Sequence, residues 1–495
     1  MSLLDKALKG LGIHSNDRIL VILIALTLII SLITPLLMIT SLSEKDSPVS
    51  NVPAHISYAT HARISISGNA GFLGSNATTG ISWGNGTVGN PYIIEGWDID
   101  ASGNRGVWIS DATVHFIVRN CFIHGGGVSN DGIYIYNCNN GDMIDNTCND
   151  NACGIFLTFS SGCTATDNHC TNNSMAGIYL FRTDSNTLSS NVMVNCGINI
   201  WGSSSGNYNS HSIDSSNTVN GKPVYFLKYL SGASVPSNAG QVILANCDHI
   251  NVWNQYLSNA SVGILIAYSS DVLVANNFCR LNAFEGIYLY SSTNCNLSDN
   301  NCSNNEFGIL LADSCDNNYI GNNTCNDNIQ TGIRLEGASS NVICDNNCSK
   351  NSQFGMHLFT VSDNNNISRN LISDNVQYGI RILSTSGNRI WNNSFIDNNG
   401  AGPIYSPAHI QASDDGNNFW NSSGYGNFWS DLTGPDIVPP YGIVDWSYNL
   451  TGSGGMKDHY PRTTPSMPIP EPAILILAGI MIVAFVMIGR TRKKP

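Results

Sequence analysis

Between Gly106 and Gly379 the chain repeats one phrase about every 23 residues: Ile/Leu-x-x-Asn-x-Cys-x-x-Asn, a short spacer, then Gly-Ile-x-Leu. The Gly-apolar step stands at Gly132-Ile133, Gly154-Ile155, Gly177-Ile178, Gly263-Ile264, Gly286-Ile287, Gly308-Ile309, Gly332-Ile333 and Gly355-Met356. A period of this length, carried by short alternating segments, specifies a solenoid of stacked coils.

The alternation after each glycine selects the kind of solenoid. At one and three residues past the glycine stand Ile133 and Ile135, Ile155 and Leu157, Ile178 and Leu180, Ile309 and Leu311, Ile333 and Leu335. Side chains two apart on a strand share a face, so these point inward. A leucine-rich repeat would need a helix in each unit, and the intervening material is too short and too rich in Asn, Ser and Gly for one. Three short strands and three turns per coil remain, an all-β single-stranded parallel β-helix of about 13 coils, each roughly 22–24 residues.

Stacking gives the asparagines and cysteines a role. One Asn column runs Asn120, Asn146, Asn168, Asn191, Asn277, Asn300, Asn323, Asn346, Asn370 and Asn393, and a second includes Asn151, Asn173, Asn282, Asn305, Asn328, Asn351, Asn375 and Asn398. In register at about 4.8 Å their amides can bond to one another, and Asn also tolerates the left-handed backbone of sharp corners. Two residues past the first column lie Cys148, Cys170, Cys279, Cys302, Cys325 and Cys348, and other coils place Phe122, Met193, Ile372 or Phe395 there. A site where Cys alternates with large hydrophobes reads as a core position filled by free thiols. Neighbouring thiols in such a column are also close enough to bridge. The chain has no CxxC or Cys/His cluster with ligand spacing, so no metal set is read.

The ends address the compartment. An apolar run at 19–42 follows Lys6, Lys9 and Arg18, predicting a cytoplasmic N-terminus (1–18) and a transmembrane signal-anchor or a signal peptide. A second apolar segment at 473–488 is closed by a basic tail, 489–495. The bulk between is then extracellular, membrane-anchored, and open to glycosylation at sequons such as Asn76, Asn85, Asn259, Asn421 and Asn449. Only 12% of residues are charged and the net charge is -13, so no nucleic-acid partner is implied.

Residues 50–90 read as a lead-in and N-terminal cap, 91–414 as the β-helix, 415–460 as a C-terminal cap and 461–472 as a Pro-rich linker. Gly197 to Gly263 spans 66 residues, near three periods, so the coils are expected to continue through it with 231–240 as a projecting loop. Trp420, Trp429, Trp446 and Tyr460 suit a lid on the open end of the helix.

Several of these phrases resemble the NosD-type right-handed parallel β-helix proteins, particularly their archaeal surface branch. They are Pro91 to Ile99, Gly221 to Leu227, Gly240-Gln241-Val242-Ile243-Leu244, the Asn-rich repeats, and Gly426-Asn427-Phe428-Trp429-Ser430-Asp431. The resemblance implies right-handedness. Its related repeat class is linked to carbohydrate binding or cleavage, and its name to a copper-associated periplasmic protein. The chain departs from the pattern after Gly434-Pro435-Asp436, where many relatives have an acidic, calcium-loop-like stretch and this chain has Ile437-Val438-Pro439-Pro440. Pro470, Glu471 and Pro472, followed by the apolar run and basic cluster, resemble a PEP-CTERM sorting signal, which implies cleavage by a sortase-like enzyme; a plain membrane anchor is the alternative.

Two residues past the glycine, an outward position, stand Trp108, Tyr134, Phe156, Tyr179 and Tyr288, then Arg334, His357 and Arg381 on consecutive coils. Tyr136, Phe181, Tyr290 and Phe359 add a column two residues on. Such a stripe can stack on sugar rings, with the basic run holding an acidic envelope glycan. It can equally be a cross-strand packing ladder. A β-helix lyase or hydrolase needs a positioned acid/base pair; Glu336 lies near Arg334 and His357, but no stacked Asp pair recurs, so no catalytic residue is assigned. Copper handling finds only scattered His115, His124, His169, His211, His249 and His357, and no cofactor motif is read. The reading is a surface β-helix that is structural or carbohydrate-binding. The alternatives are a polysaccharide lyase or hydrolase, or a copper-associated accessory protein.

Overall fold

A computed structural model describes residues 58–439 and 441–466. They form an all-β right-handed parallel solenoid of about 13 turns, with only three four-residue α-helices and one short 3-10 turn. The expected segments 1–18, 19–42, 473–488 and 489–495, and Pro470, Glu471 and Pro472, lie outside the described residues. Among those described, no helix is long and apolar enough to cross a membrane.

The coils form two stacks. In the first, each turn passes through a six-stranded wall (Ile133–Tyr136, Cys153–Thr158, Ala176–Phe181 and their neighbours), a seven-stranded wall, and a third wall such as Thr147–Asn149 and His169–Thr171. In the second, each turn opens on the Gly-Ile-x-Leu wall, Glu285–Tyr290, Phe307–Ala312, Thr331–Glu336 and Phe354–Phe359, and then enters an eight-stranded wall. Pairing is parallel and in register, Ile155 against Ile178 and Ile309 against Ile333. The inward Ile and Leu of every coil are fully buried, as are Cys148, Cys170, Cys279, Cys302, Cys325 and Cys348. All fifteen cysteines are free and buried. The glycine opening each coil is set by close approach: a Cβ on Gly332 would stand 2.7 Å from the carbonyl oxygen of Gly355.

Corners follow one rule. A residue with left-handed backbone, such as Asp145, Asp167, Asn276, Asp299, Asn322 or Asp345, precedes the ladder asparagine. Asn146, Asn168, Asn277, Asn300, Asn323 and Asn346 are themselves buried, and each Oδ1 accepts the backbone N–H of the preceding coil's ladder residue, as in Asn277 N to Asn300 Oδ1 at 3.0 Å. The strained conformation thus falls one residue before the ladder, not on it. Asn120 was placed one residue off: it has the left-handed backbone, Cys121 N donates to Asn146 Oδ1, and Ile123, not Phe122, pairs with Cys148. A third ladder, Asn318, Asn341, Asn365, Asn388 and Asn418, was not anticipated.

The solenoid does not run straight through 197–263. Val219 and Lys222 pair antiparallel around Asn220 and Gly221, whose φ values are 51 and 76, an Asn-Gly hairpin that reverses the chain. From there Lys222–Lys228 begins the second stack, pairing parallel with Gln241–Ala245. The segment 231–240 does not project: Ser231 and Ser234 bridge to Asp248 and Asn251, and Val235 and Ala239 are buried. The end of the first stack, with Ile198, Ile200 and Tyr208, shares one core with the outward side chains Ile243, Ala245, Leu265, Ala267, Tyr288, Tyr290, Leu310 and Ala312 of the second. The second stack's wall therefore closes the first stack's open end. Gln241 Oε1 accepts from Ile198 N at 2.9 Å and Ser261 Oγ from Gly197 N at 3.1 Å, so side chains across the junction satisfy the edge strand.

The far ends are lidded. Ile64–Ser67 already pairs with Val107–Ser110, so coiling starts inside the expected lead-in, and Phe72 stacks on Tyr92 at 4.9 Å over that end. At the other end Trp420, Trp429 and Tyr448 are buried, with Trp429 stacked 3.9 Å from Tyr448; Trp446 and Tyr460 are exposed.

Candidate functional site

The outward stripe splits at the junction. On the first stack Trp108, Tyr134, Phe156 and Tyr179 follow one another across strand pairs. They pack ring against ring, 6.4, 5.2 and 4.8 Å between centroids, with Arg105 3.9 Å over Tyr134 and paired to Asp131. Tyr288 leaves the stripe: it is buried in the junction and cannot meet a ligand. Tyr290, in the column beside it, is buried there too and stacks on Tyr208 at 5.2 Å.

Beyond the covered zone the second stack's outer face emerges with Arg334, His357 and Arg381 on successive paired strands. They do not form a bare positive stripe. Arg381 is held by Asp415 at 2.8 Å and by Ser413. His357 lies between both arginines; burial first and their charges second push its pKa down to about 4, so it is neutral at physiological pH. Arg334 is the least satisfied member. Its guanidinium stands over Phe307 at 4.8 Å and Phe359 at 4.7 Å, its pair with Glu336 is long at 3.4 Å, and its Nε is buried without a partner.

The residue before each glycine also faces out: Phe354 is 4.9 Å from His357 and 6.3 Å from Tyr378, and Phe307 lies under Arg334. Strict alternation would turn these residues inward, so they were missed. This row begins with Glu285, where burial, reinforced by Glu306, raises the carboxyl pKa to about 8. Glu306 is hydrogen-bonded by Gln330 and is likewise raised by burial. Tyr179 arrives from the first stack, 6.3 Å from Phe284, its hydroxyl pushed up by burial and by the neighbouring Cys153 and Glu285. The arrangement is an aromatic-walled strip with one unsatisfied cation, a neutral imidazole and, at its junction end, a protonated carboxyl beside a tyrosine.

Among the described residues one group has metal-ligand proximity: Asp248, His249 and Asp271, ligand atoms within 4.8 Å of one another, on the surface. In the sequence alone His249 is one of several scattered histidines, and its approach to Asp271 emerges only when the coils stack.

The fold and its outer face define a right-handed β-helix repeat protein. Two family profiles agree: the periplasmic copper-binding protein (NosD) profile matches residues 213–434, and the right-handed β-helix region profile matches 56–214. Their boundary falls beside the reversal at Asn220. No curated protein matches the chain. Among solved structures, it is similar to the periplasmic alginate epimerase AlgG, 13% identical over 67% of this chain and 84% of that one, TM-score 0.31. It is also similar to the Azotobacter vinelandii mannuronan C-5 epimerase AlgE4 A-module, 12% identical over 67% and 87%, TM-score 0.25. A mannuronic acid specific family 6 polysaccharide lyase from human gut microbiota is 10% identical over 66% and 85%, TM-score 0.22. These likenesses concern the fold alone.

Proposed function

We propose that the chain is a membrane-anchored surface protein of the cell envelope that binds an acidic glycan along the second stack's outer face. One observation carries this reading: Arg334, set between buried Phe307 and half-buried Phe359, has a buried Nε with no partner. A uronate carboxylate would complete that guanidinium, the half-buried Phe354 and Phe359 would take sugar faces, buried Phe307 would back the guanidinium from below, and neutral His357 would exchange hydrogen bonds with hydroxyls. Arg381, neutralised by Asp415, holds the strip in place. Retention at the surface would come from the apolar termini, with the PEP-like tail offered to a sortase-like enzyme.

In a glycan array with full-length protein, Arg334→Gln should lose binding to uronate-containing chains by about tenfold, the scale of one charge-assisted hydrogen bond, and wild-type binding should weaken as salt rises. Equal binding by the two proteins refutes the site. A second reading, turnover of an acidic polysaccharide, is favoured by Glu285, a carboxyl protonated at neutral pH beside Tyr179. New unsaturated or reducing ends that disappear in Glu285→Gln would support it. Among the described residues, the copper association in the family description finds only the surface group Asp248, His249 and Asp271 to draw on.

A further inference from the structure

We propose that the exposed side chains of Ile437, Val438 and Tyr441 form a lipid-contact surface that seats the C-terminal end of the molecule on a membrane, an inference that rests on the membrane anchoring proposed above. Here Asp436 is followed by Ile437-Val438-Pro439-Pro440-Tyr441, five residues without a charge. The flanking acids are turned back into the loop: Asp445 Oδ2 accepts from Ile437 N at 2.9 Å, and Asp436 Oδ2 from Gly442 N at 2.8 Å. The tip is thereby stripped of charge and its base is tied. Ile437 is 74% exposed, Tyr441 72%, Val438 59% and nearby Trp446 57%, an aliphatic and aromatic set of the kind that partitions into the headgroup zone.

The occupant follows from where the chain goes next. Thr463 N donates to Gly442 O at 3.1 Å and Ile443 bridges to Arg462, so the outgoing strand is bonded to the base of this loop. Six residues, 467–472, then separate Ser466 from the apolar run beginning at Ala473. At roughly 3.5 Å per residue that run starts within about 25 Å of Ser466. With the tail, closed by Arg490, Arg492, Lys493 and Lys494, inserted in a bilayer as proposed above, a tether of that length keeps Ile437, Val438 and Tyr441 within reach of the lipid surface.

The test uses the full-length chain carrying Val438→Cys, labelled with an environment-sensitive fluorophore; the native cysteines are buried and do not compete. Val128→Cys, at a surface turn of the first stack, is the reference. After reconstitution into phosphatidylcholine/phosphatidylglycerol vesicles, the label at 438 should shift to the blue and be quenched by nitroxide-bearing lipid, while the label at 128 does neither. Identical, water-like emission at both positions overturns the proposal. A blue-shifted label at 438 that lipid nitroxides fail to quench also overturns it, and assigns the loop to the chain's own tail or to a second copy.

Discussion

Asn300 makes four hydrogen bonds through its side chain. Its Oδ1 accepts from N and Nδ2 of Asn277 at 3.0 and 2.9 Å, and its Nδ2 donates to Val274 O at 2.9 Å and to Asn323 Oδ1 at 3.0 Å. Truncating it strands a buried N–H on one side and a carbonyl on the other. Asn300→Ala should therefore cost about 3 kcal/mol or more, read as a lower urea midpoint. A midpoint within error of wild type would mean that water enters the corner and replaces the amide. Cys302, two residues on, lies in a column continued by Ile372 and Phe395, and burial pushes its thiol pKa well up. Cys302→Ser should cost roughly 1–3 kcal/mol and Cys302→Val much less, because the site prizes apolar volume over a donor. Non-reducing mass spectrometry should find the column as thiols; a majority of disulfides would refute that assignment. The ladders were readable because identical residues recur at one period. The left-handed residue before each was not, since Asp, Asn, Ser, Lys and Arg all occupy it and only the backbone reveals the constraint.

At the scale of elements, the wall carrying the candidate site is also the lid of the first stack, and period counting could not see this. Sixty-six residues from Gly197 to Gly263 fit three coils arithmetically, yet a two-residue turn at Asn220-Gly221 sends the chain back instead. Tyr288 was misplaced for the same reason: its outward parity was right, but outward there means into the neighbouring stack. Glu285 sits at this boundary, and its titration should be felt in stability. Its folded pKa of about 8 lies above the ordinary 4.5, so between those values the folded protein holds a proton that the unfolded chain has released. Stability from this group is thus fully present below about pH 4.5 and is lost as pH rises through 8. Glu285→Gln, which keeps the neutral shape, should flatten the decline in Tm across that window. An unchanged slope would show that Glu285 does not carry it.

A single rod of about 13 coils at roughly 4.8 Å per coil would be near 60 Å long with two ends to cap. This molecule instead spends one wall of its second stack on the end of its first, leaving the two outer ends to Phe72 and to the Trp420, Trp429 and Tyr448 lid. The arrangement brings Tyr179 of one stack against Phe284 and Glu285 of the other, so the junction-side end of the site exists only when both stacks are folded and joined. Repeat proteins ordinarily lose cooperativity with length because coils touch only neighbours; a shared core between distant coils restores it. Tyr290 is central to that core, stacked on Tyr208 at 5.2 Å and packed against Tyr268 at 5.7 Å. Tyr290→Ala should remove about 3–5 kcal/mol of packing, mostly from the contact between the stacks. Calorimetry should then show one unfolding transition in the wild type and two in the variant, the first stack melting earlier because its last coil has lost its cover. If the variant still melts in one step, merely at lower temperature, the stacks are coupled chiefly through the hairpin at Asn220-Gly221 rather than through the aromatic core.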